Sequence, residues 1–344
     1  MDQINTKLLS GSDNDISIAA KIINNGGLVA IPTETVYGLA ADALNPKAVL
    51  NIFKAKGRPN DNPLIVHISE LSQIQELTSD FNEKAQLIAK SFWPGPITII
   101  LPKTNIVPLC VTGGLDTVAI RMPSHPIARK LISKSGKPLA APSANTAGKP
   151  SPTTANHVIN DLNNKIDAII DGGQCDVGLE STVITLALDK PRLLRPGKVT
   201  VDEIQNVIGE IDIDPAVIDR LKEGTKVSSP GMKYKHYSPK ARVILIKGNK
   251  EQYIKYVNDH SGKNVAAICF NGEESLLKNV KSFPFGDEKD YKTQANLLFD
   301  ILRQIDKSDN IDLVYSRCPE PEGIGLAVYN RLIRAAGFEM INLA

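Results

Sequence analysis

Val29-Ala30-Ile31-Pro32-Thr33-Glu34-Thr35-Val36-Tyr37-Gly38 is the stretch on which the reading of this chain turns. Its apolar run reads as a strand, proline breaks it, and a hydroxyl-dense turn follows at the strand end, where α/β sheets build binding sites. A helical pattern from Lys47 to Phe53 then runs into Lys54-Ala55-Lys56-Gly57-Arg58-Pro59, where Gly57 and Pro59 are expected to stop the helix and leave cations on a turn. After Asn60-Asp61-Asn62-Pro63 the chain returns as a strand, Leu64-Ile65-Val66-His67. Hydroxyls, cations and an imidazole are thereby brought toward one rim.

Outward from this stretch, Ile16 to Ile23 carries a helical apolar pattern closed by Asn25-Gly26-Gly27 and leads straight into the strand. Helical patterns at Leu71 to Leu77 and Glu83 to Phe92 precede Trp93-Pro94-Gly95-Pro96, a forced turn before the strand Ile97 to Leu101. Further strands are expected at Thr117 to Arg121, Pro138 to Ala141, Ala168 to Asp171, Ser181 to Leu186 and Arg192 to Leu194, with helices at Ile127 to Ser133 and Thr154 to Leu162. Short strands mixed with helices imply an α/β domain, and the close succession of the last strands implies a sheet that is not purely parallel.

From Val201 to Glu223 the chain is acidic and reads as helical, and Val227 to Pro239 reads as a linker. A spacer does not need Tyr234, His236 and Tyr237 among lysines, so Ser228 to Tyr237 is expected to act as a lid over bound ligand. Beyond Lys240, strands at Val243 to Lys247, Val265 to Phe270 and Leu313 to Ser316 alternate with helices at Gln252 to Val257, Tyr291 to Ile305 and Leu326 to Ala336. That is the pattern of a small Rossmann-like parallel sheet. Gly323-Ile324-Gly325 before the last helix lacks the full dinucleotide fingerprint and reads as a packing or turn element. The expected division is residues 1–210, a linker or lid over 211–239, and residues 240–344.

Composition bounds the function. With 344 residues, 42% apolar and 23% charged, the chain has the make-up of an ordinary globular protein, and a formal net charge of +2 argues against coating nucleic acid by charge alone. Cys110, Cys175, Cys269 and Cys318 are far apart and form no Cys-x-x-Cys pair, so neither a zinc site nor a disulfide framework is indicated. The start has no basic region followed by an apolar core, and no apolar run approaches the ~20 residues of a membrane span. The expected location is the cytoplasm, with no membrane partner.

Chemistry-bearing residues gather in the opening stretch and in three others: Thr112 to Arg121, Ala140 to Thr153, and Asp171 to Thr182 with Leu194-Arg195-Pro196-Gly197. Ser, Asn and Gly are turn formers and Thr182 to Thr185 suit a strand, so each segment alone also has a purely structural reading. Together they put hydroxyls, glycine backbone and the guanidinium groups of Arg58, Arg121 and Arg195 at the ends of successive strands, which points to a nucleotide site. There is no phosphate loop, no His-Glu-x-x-His and no Gly-x-Ser-x-Gly elbow, and Ser143 has no adjacent base for a covalent mechanism.

Pro32-Thr33-Glu34-Thr35-Val36-Tyr37-Gly38, Lys56-Gly57-Arg58-Pro59, Trp93-Pro94-Gly95-Pro96, Ser143-Ala144-Asn145 and Glu180-Ser181-Thr182, in this order, closely resemble the YrdC-like domain of L-threonylcarbamoyladenylate synthases. Pro230-Gly231-Met232-Lys233-Tyr234-Lys235-His236-Tyr237 is similar to the interdomain linker of the two-domain form, so the resemblance covers nearly the whole chain. It implies a YrdC-like twisted open mixed α/β sheet with a concave, positively charged face, joined to a smaller Rossmann-like α/β domain. It also implies a reaction in which L-threonine, bicarbonate or carbon dioxide, and ATP with Mg2+ give threonylcarbamoyl-AMP and pyrophosphate. The product would pass to a separate transferase that modifies the adenosine beside the anticodon of tRNA, with a weak direct tRNA contact allowed.

Carried over by motif, the resemblance implies that Lys56 and Arg58 hold the phosphates, with Asn62, Thr117, Ser143, Asn145, Ser151 and Arg195 completing the nucleotide site. Thr35, His67, Arg121 and Ser181 would form the threonine pocket, Arg121 meeting the carboxylate and the backbone near Ala141 helping, while Tyr234 would reach the nucleotide from the linker. The ligands of Mg2+ would be mostly phosphate and water, with no protein metal site. Two other readings stay open at this point: a module that binds double-stranded RNA or tRNA without catalysis, and an ATP-dependent carbamoyl transferase with another acceptor.

Overall fold

The computed structural model describes residues 4–219, 237–308 and 310–343. They form two compact units, one of residues 4–147 and 151–217, the other of residues 237–343 together with 148–150 and 218–219. Among the described residues no helix is long and apolar enough to cross a membrane.

The first unit runs β1 (Lys7–Leu9), α1 (Asp13–Asn24), β2 (Val29–Ile31), β3 (Gly38–Asp42), α2 (Pro46–Lys56), β4 (Ile65–His67), α3 (Ile74–Leu77), α4 (Glu83–Phe92), β5 (Ile97–Pro102), α5 (Leu109–Thr112) and β6 (Thr117–Arg121). It continues with α6 (Pro126–Ser135), β7 (Leu139–Ala140), α7 (Ala155–Leu162), β8 (Ala168–Ile170), β9 (Thr182–Thr185), β10 (Arg192–Arg195), α8 (Val201–Ile208) and β11 (Asp212–Ile213). The strands make one mixed sheet in the order β1-β8-β2-β3-β7-β4-β6-β5-β9-β10-β11. Period-2 alternation splits its core. Ala30, Leu39 and Ala41 join Ile52, Phe53, Ile88 and Val158 on one face, whereas Val29, Ile31 and Ala40 pack with Ile16, Ile23, Leu131 and Ile132 on the other. Each fully buried Ile or Leu contributes about 1.5–3 kcal/mol, so two helix layers hold the sheet from both sides.

Local signals fix the helix ends. In α2, Asn45 caps the N–H groups of Lys47 and Ala48, Pro46 occupies the first turn, and Gly57 closes the helix at φ 63°. The helix therefore extends through Lys56, which the sequence places on the turn. The acidic segment after Val201 is helical only to Ile208: Gly209 at φ 77° ends it, and β11 and a short 3-10 turn at Pro215–Val217 follow. Besides β11, two strands of this unit were not foreseen from sequence. β1 is a short edge strand, and β3 follows the Thr33–Tyr37 turn directly, pairing antiparallel with β2 through Ile31↔Gly38. Gly38 suits this close pairing, since a Cβ would lie 3.2 Å from that of Ala141.

The second unit comprises β12 (Arg242–Lys247), α9 (Lys250–Asp259), β13 (Val265–Cys269), β14 (Lys281–Pro284), α10 (Tyr291–Lys307), β15 (Leu313–Arg317), α11 (Gly325–Ala335) and β16 (Met340–Asn342). Its sheet, β14-β13-β15-β12-β16, is parallel throughout, the Rossmann-like arrangement expected. The edge strands β14 and β16 are short and mostly exposed, which hid them from pattern reading. Gly325 serves packing: a Cβ would lie 2.3 Å from the Glu320 carbonyl and 3.0 Å from the Tyr291 ring.

At the carboxyl end of β15, Arg317 is 2% exposed and lies between the rings of Tyr253 and Phe270, 5.3 and 4.7 Å from their centroids. It donates from Nη1 to the Gly248 carbonyl at 2.7 Å and from Nη2 to Glu288 at 3.0 Å, with Glu273 3.4 Å from Nε. Burial pushes the Glu273 carboxyl up even with the arginine beside it.

Candidate active site

Strand register builds the first wall of the site. β4 runs parallel to β6 with His67 opposite Arg121, and the Ala141 N–H donates to the Ile65 carbonyl at 2.9 Å, continuing the antiparallel pairing of β7 with β4. His67, Arg121 and Ala141 thus lie on adjacent strands. Thr117 begins β6, roughly 13 Å from Arg121 at ~3.3 Å per residue. Before Ile65 the chain instead meets the end of α5, where the Leu64 N–H donates to the Val111 carbonyl at 2.8 Å.

The turn between β2 and β3 supplies the next wall. Thr33 Oγ1 donates to the Val36 carbonyl at 2.6 Å and accepts the N–H groups of Thr35 and Val36, which fixes the turn from within. Thr35 Oγ1 lies 2.8 Å from Thr33 Oγ1 and accepts from Arg121 Nη1 at 2.9 Å. Arg121 also donates from Nε to the Gly95 carbonyl at 3.4 Å, and its Nη2 lies 2.7 Å from Glu34 Oε1. Burial pushes the Glu34 carboxyl up, but the guanidinium outweighs it and holds the group below the usual carboxylate range. Burial first, and then the Arg121 charge, pushes the His67 imidazole down to about 3. His67 is therefore neutral, its Nδ1 3.2 Å from the Ile65 carbonyl, the geometry of an Nδ1–H donor that leaves Nε2 as acceptor.

Across the sheet, the Ser181 hydroxyl lies 2.8 Å from Thr98 Oγ1 and accepts from Arg195 Nη2 at 3.1 Å, while Arg195 Nε donates to the Ser181 carbonyl at 3.0 Å. Gly197 permits this approach, since a Cβ would sit 2.4 Å from the Thr182 nitrogen. The Ser143 turn is tied down from two sides. Ser143 bridges to Gly38, and Lys56 Nζ donates to the carbonyls of Ser143 and Asn145, the latter at 2.6 Å. Lys56 is 3% exposed, so this lysine is a strut of the turn as well as a cation. Ser151 Oγ donates to Glu180 Oε1 at 2.5 Å. Arg58 is half-buried and reaches the Asn62 carbonyl at 3.4 Å, at the rim of a groove of ≈ 760 Å³ that also takes in Lys47, Asn51 and Lys54. Asn62 is fully buried, and its side-chain amide has no hydrogen-bond partner among the described residues.

The structure thus brings Thr35, Arg121, His67 and Ala141 together, links Ser181 to Arg195, and links Lys56 to Ser143 and Asn145. Tyr234 and most of the expected lid lie outside the described residues. Sequence reading gave no role to Glu34, Thr98 or Glu180. Thr98 had a signal, a hydroxyl between Ile97 and Ile99 in an otherwise apolar strand; Glu34 had one too, a carboxylate inside a turn bound for burial. Chemically the arrangement offers cations, hydroxyls and backbone donors suited to holding anions in register.

Residues 21–197 match a family model described as Sua5/YciO/YrdC, telomere recombination, and residues 199–337 match one described as threonylcarbamoyl-AMP synthase, C-terminal domain. The chain is 47% identical to the threonylcarbamoyl-AMP synthase of Pyrococcus abyssi over 95% of its length and 96% of that protein's. It is 44% identical to that of Bacillus subtilis over 98% and 97%. The crystal structure of P. abyssi Sua5 complexed with L-threonine superposes with a TM-score of 0.89 at 45% identity, covering 98% of this chain and 100% of that one.

Proposed function

Starting from a chain that belongs to the threonylcarbamoyl-AMP synthase family, we propose how its residues divide the work of that reaction. The amine of L-threonine forms a carbamate with carbon dioxide or bicarbonate, and a carbamate oxygen then attacks the α-phosphorus of ATP, releasing pyrophosphate. No covalent enzyme intermediate is needed. The protein's task is to hold two anions together and to spread the developing charge.

The observation that carries the residue assignment is the meeting of Arg121, Thr35 and neutral His67 at one set of strand ends, with Ser181 bonded to Arg195 across the sheet. Arg121 receives the threonine carboxylate, and Thr35, His67 and Ser181 surround the rest of the amino acid with the Ala141 backbone. Arg195 lies on the nucleotide side of Ser181. Lys56, Arg58, Asn62, Thr117, Ser143, Asn145 and Ser151 take the nucleotide, Asn62 through the amide that no described residue satisfies. ATP enters as its Mg2+ complex, the ion carried by the triphosphate as part of the substrate. Tyr234 closes over it from the linker. The product passes to a transferase acting on tRNA.

Mass spectrometry of the product made from ATP, bicarbonate and a panel of amino acids tests the reading. Threonylcarbamoyl-AMP formed with threonine in preference to serine supports it, and a carbamoyl adduct of another acceptor overturns it. Steep salt-dependent RNA binding with no turnover would return the chain to the RNA-binding reading.

A further inference from the structure

Glu34 is 5% exposed and ionised; Arg121 Nη2 at 2.7 Å and the backbone N–H groups of Glu34 and Ser124 face its carboxylate, but none is aligned as a full hydrogen bond, and Nη2 itself makes no aligned hydrogen bond. A buried carboxylate with open lone pairs is costly unless something answers them. His67 is neutral and Arg121 offsets Glu34, while His125 and, through it, Asp176 lie within electrostatic reach. A ligand bearing only a carboxylate would draw Arg121 away and leave Glu34 uncompensated, whereas a zwitterion brings its own cation.

We propose that Glu34 binds the ammonium group of the threonine whose carboxylate meets Arg121, so that the resting ion pair opens into an alternating arrangement of four charges. The inference rests on the reading of this pocket as the threonine site and adds the recognition of the amino group. It makes Glu34 a specificity residue: an α-amino acid is accepted because both of its charges are answered, and a plain hydroxy acid is refused because only one is. Thr35 supports the exchange. Its bond to Arg121 Nη1 keeps the guanidinium in place while Nη2 changes partner.

The experiment is competition calorimetry with L-threonine and with 3-hydroxybutanoate, which is threonine without its amino group, on the full chain and on Glu34→Gln. Wild type should prefer threonine by at least ~10-fold, the weight of one charge-assisted hydrogen bond. In Glu34→Gln the threonine affinity should fall by at least ~10-fold while that of 3-hydroxybutanoate stays level or rises, because the opposing carboxylate is gone. A parallel fall for both ligands would show that Glu34 merely props Arg121, and the proposal would be wrong. Wild-type competition alone decides the matter if the variant does not fold: equal affinity for the two ligands overturns it. Arg121→Gln separates the underlying reading, since undiminished threonine binding there would mean that threonine sits elsewhere.

Discussion

Each unit carries an arginine at the carboxyl end of a strand, almost fully buried and facing a buried glutamate: Arg121 with Glu34, and Arg317 with Glu273. The two pairs look alike in burial, and each arginine keeps one nitrogen without an aligned acceptor, but they differ in how the carboxylate is met. Arg317 is clasped by two rings and donates to a carbonyl and to Glu288, and Glu273 Oε2 accepts the Phe270 N–H at 3.0 Å. Glu34 leaves both oxygens without an aligned donor. Burial of charge is common to both pairs, so it is the carboxylate's hydrogen-bonding capacity that sets them apart. The carboxyl groups shift in opposite directions for a different reason: at Glu34 the Arg121 charge outweighs burial, whereas at Glu273 burial outweighs the Arg317 charge.

The largest effect comes from removing each arginine. Arg121→Ala and Arg317→Ala both strand a buried carboxylate and should each cost about 3–5 kcal/mol in chemical denaturation. Steady-state kinetics should split them. Arg121→Ala is expected to lower kcat/KM for threonine on the order of 100-fold, while Arg317→Ala leaves it within about twofold per folded molecule. Equal kinetic losses at matched folded fraction would break the comparison.

A smaller effect is expected on the nucleotide side. Arg58→Ala should reduce adenylate formation by at least ~10-fold, with the loss seen in the ATP dependence and the fold intact, since Arg58 is only half-buried. Wild-type turnover would remove it from the phosphate site. Lys56→Ala is less clean, because it also cuts the ties to Ser143 and Asn145.

Titration sharpens the contrast with the sign worked out. His67 has its imidazole pushed from 6.5 to about 3, so between those values the unfolded chain binds a proton that the folded chain refuses. Stability must fall as pH falls through this window, by about 2 kcal/mol at pH 5. His67→Asn should flatten that slope in a series of denaturant melts, and an unchanged slope would mean that the imidazole is not buried neutral. Below pH 4.5 Glu34 adds a further loss as its depressed carboxyl takes up a proton, whereas Glu273, shifted upward from 4.5, contributes stability at low pH that is lost as pH rises.

The smallest effect is Thr98→Val, which removes one neutral partner of the Ser181 hydroxyl. About 1 kcal/mol, or roughly fivefold in KM for threonine, is expected with kcat little changed. No change in KM would leave Thr98 a strand residue only.

Much of this was legible in the residues. His67 and Arg121 could be placed at strand ends because Ile65-Val66 and Val118-Ala119-Ile120 are apolar runs of strand length, and the end of α2 could be read from Gly57 and Pro59. What stayed hidden was tertiary. Gly38-Leu39-Ala40-Ala41-Asp42 has little β propensity and forms β3 through tertiary pairing, with β2 on one side and β7 on the other. The helix after Val201 was overread because acidic composition outlasts the cap at Gly209. The Glu34–Arg121 pairing spans a turn and a distant strand, and no local pattern announces it.

The strand order of the first sheet has a consequence in time. β1 pairs with β8, and Thr6 bonds to a carbonyl 160 residues further along, while β5 waits for β9. No amino-terminal fragment much shorter than the whole first unit can close this sheet, because its late strands are inserted among or beside its early ones. On a ribosome adding about 5–20 residues per second, the first strand emerges on the order of ten seconds before its partner exists. During that interval the edge of β2 that β8 will cover is exposed, and the edge of β5 stays open until β9 has followed.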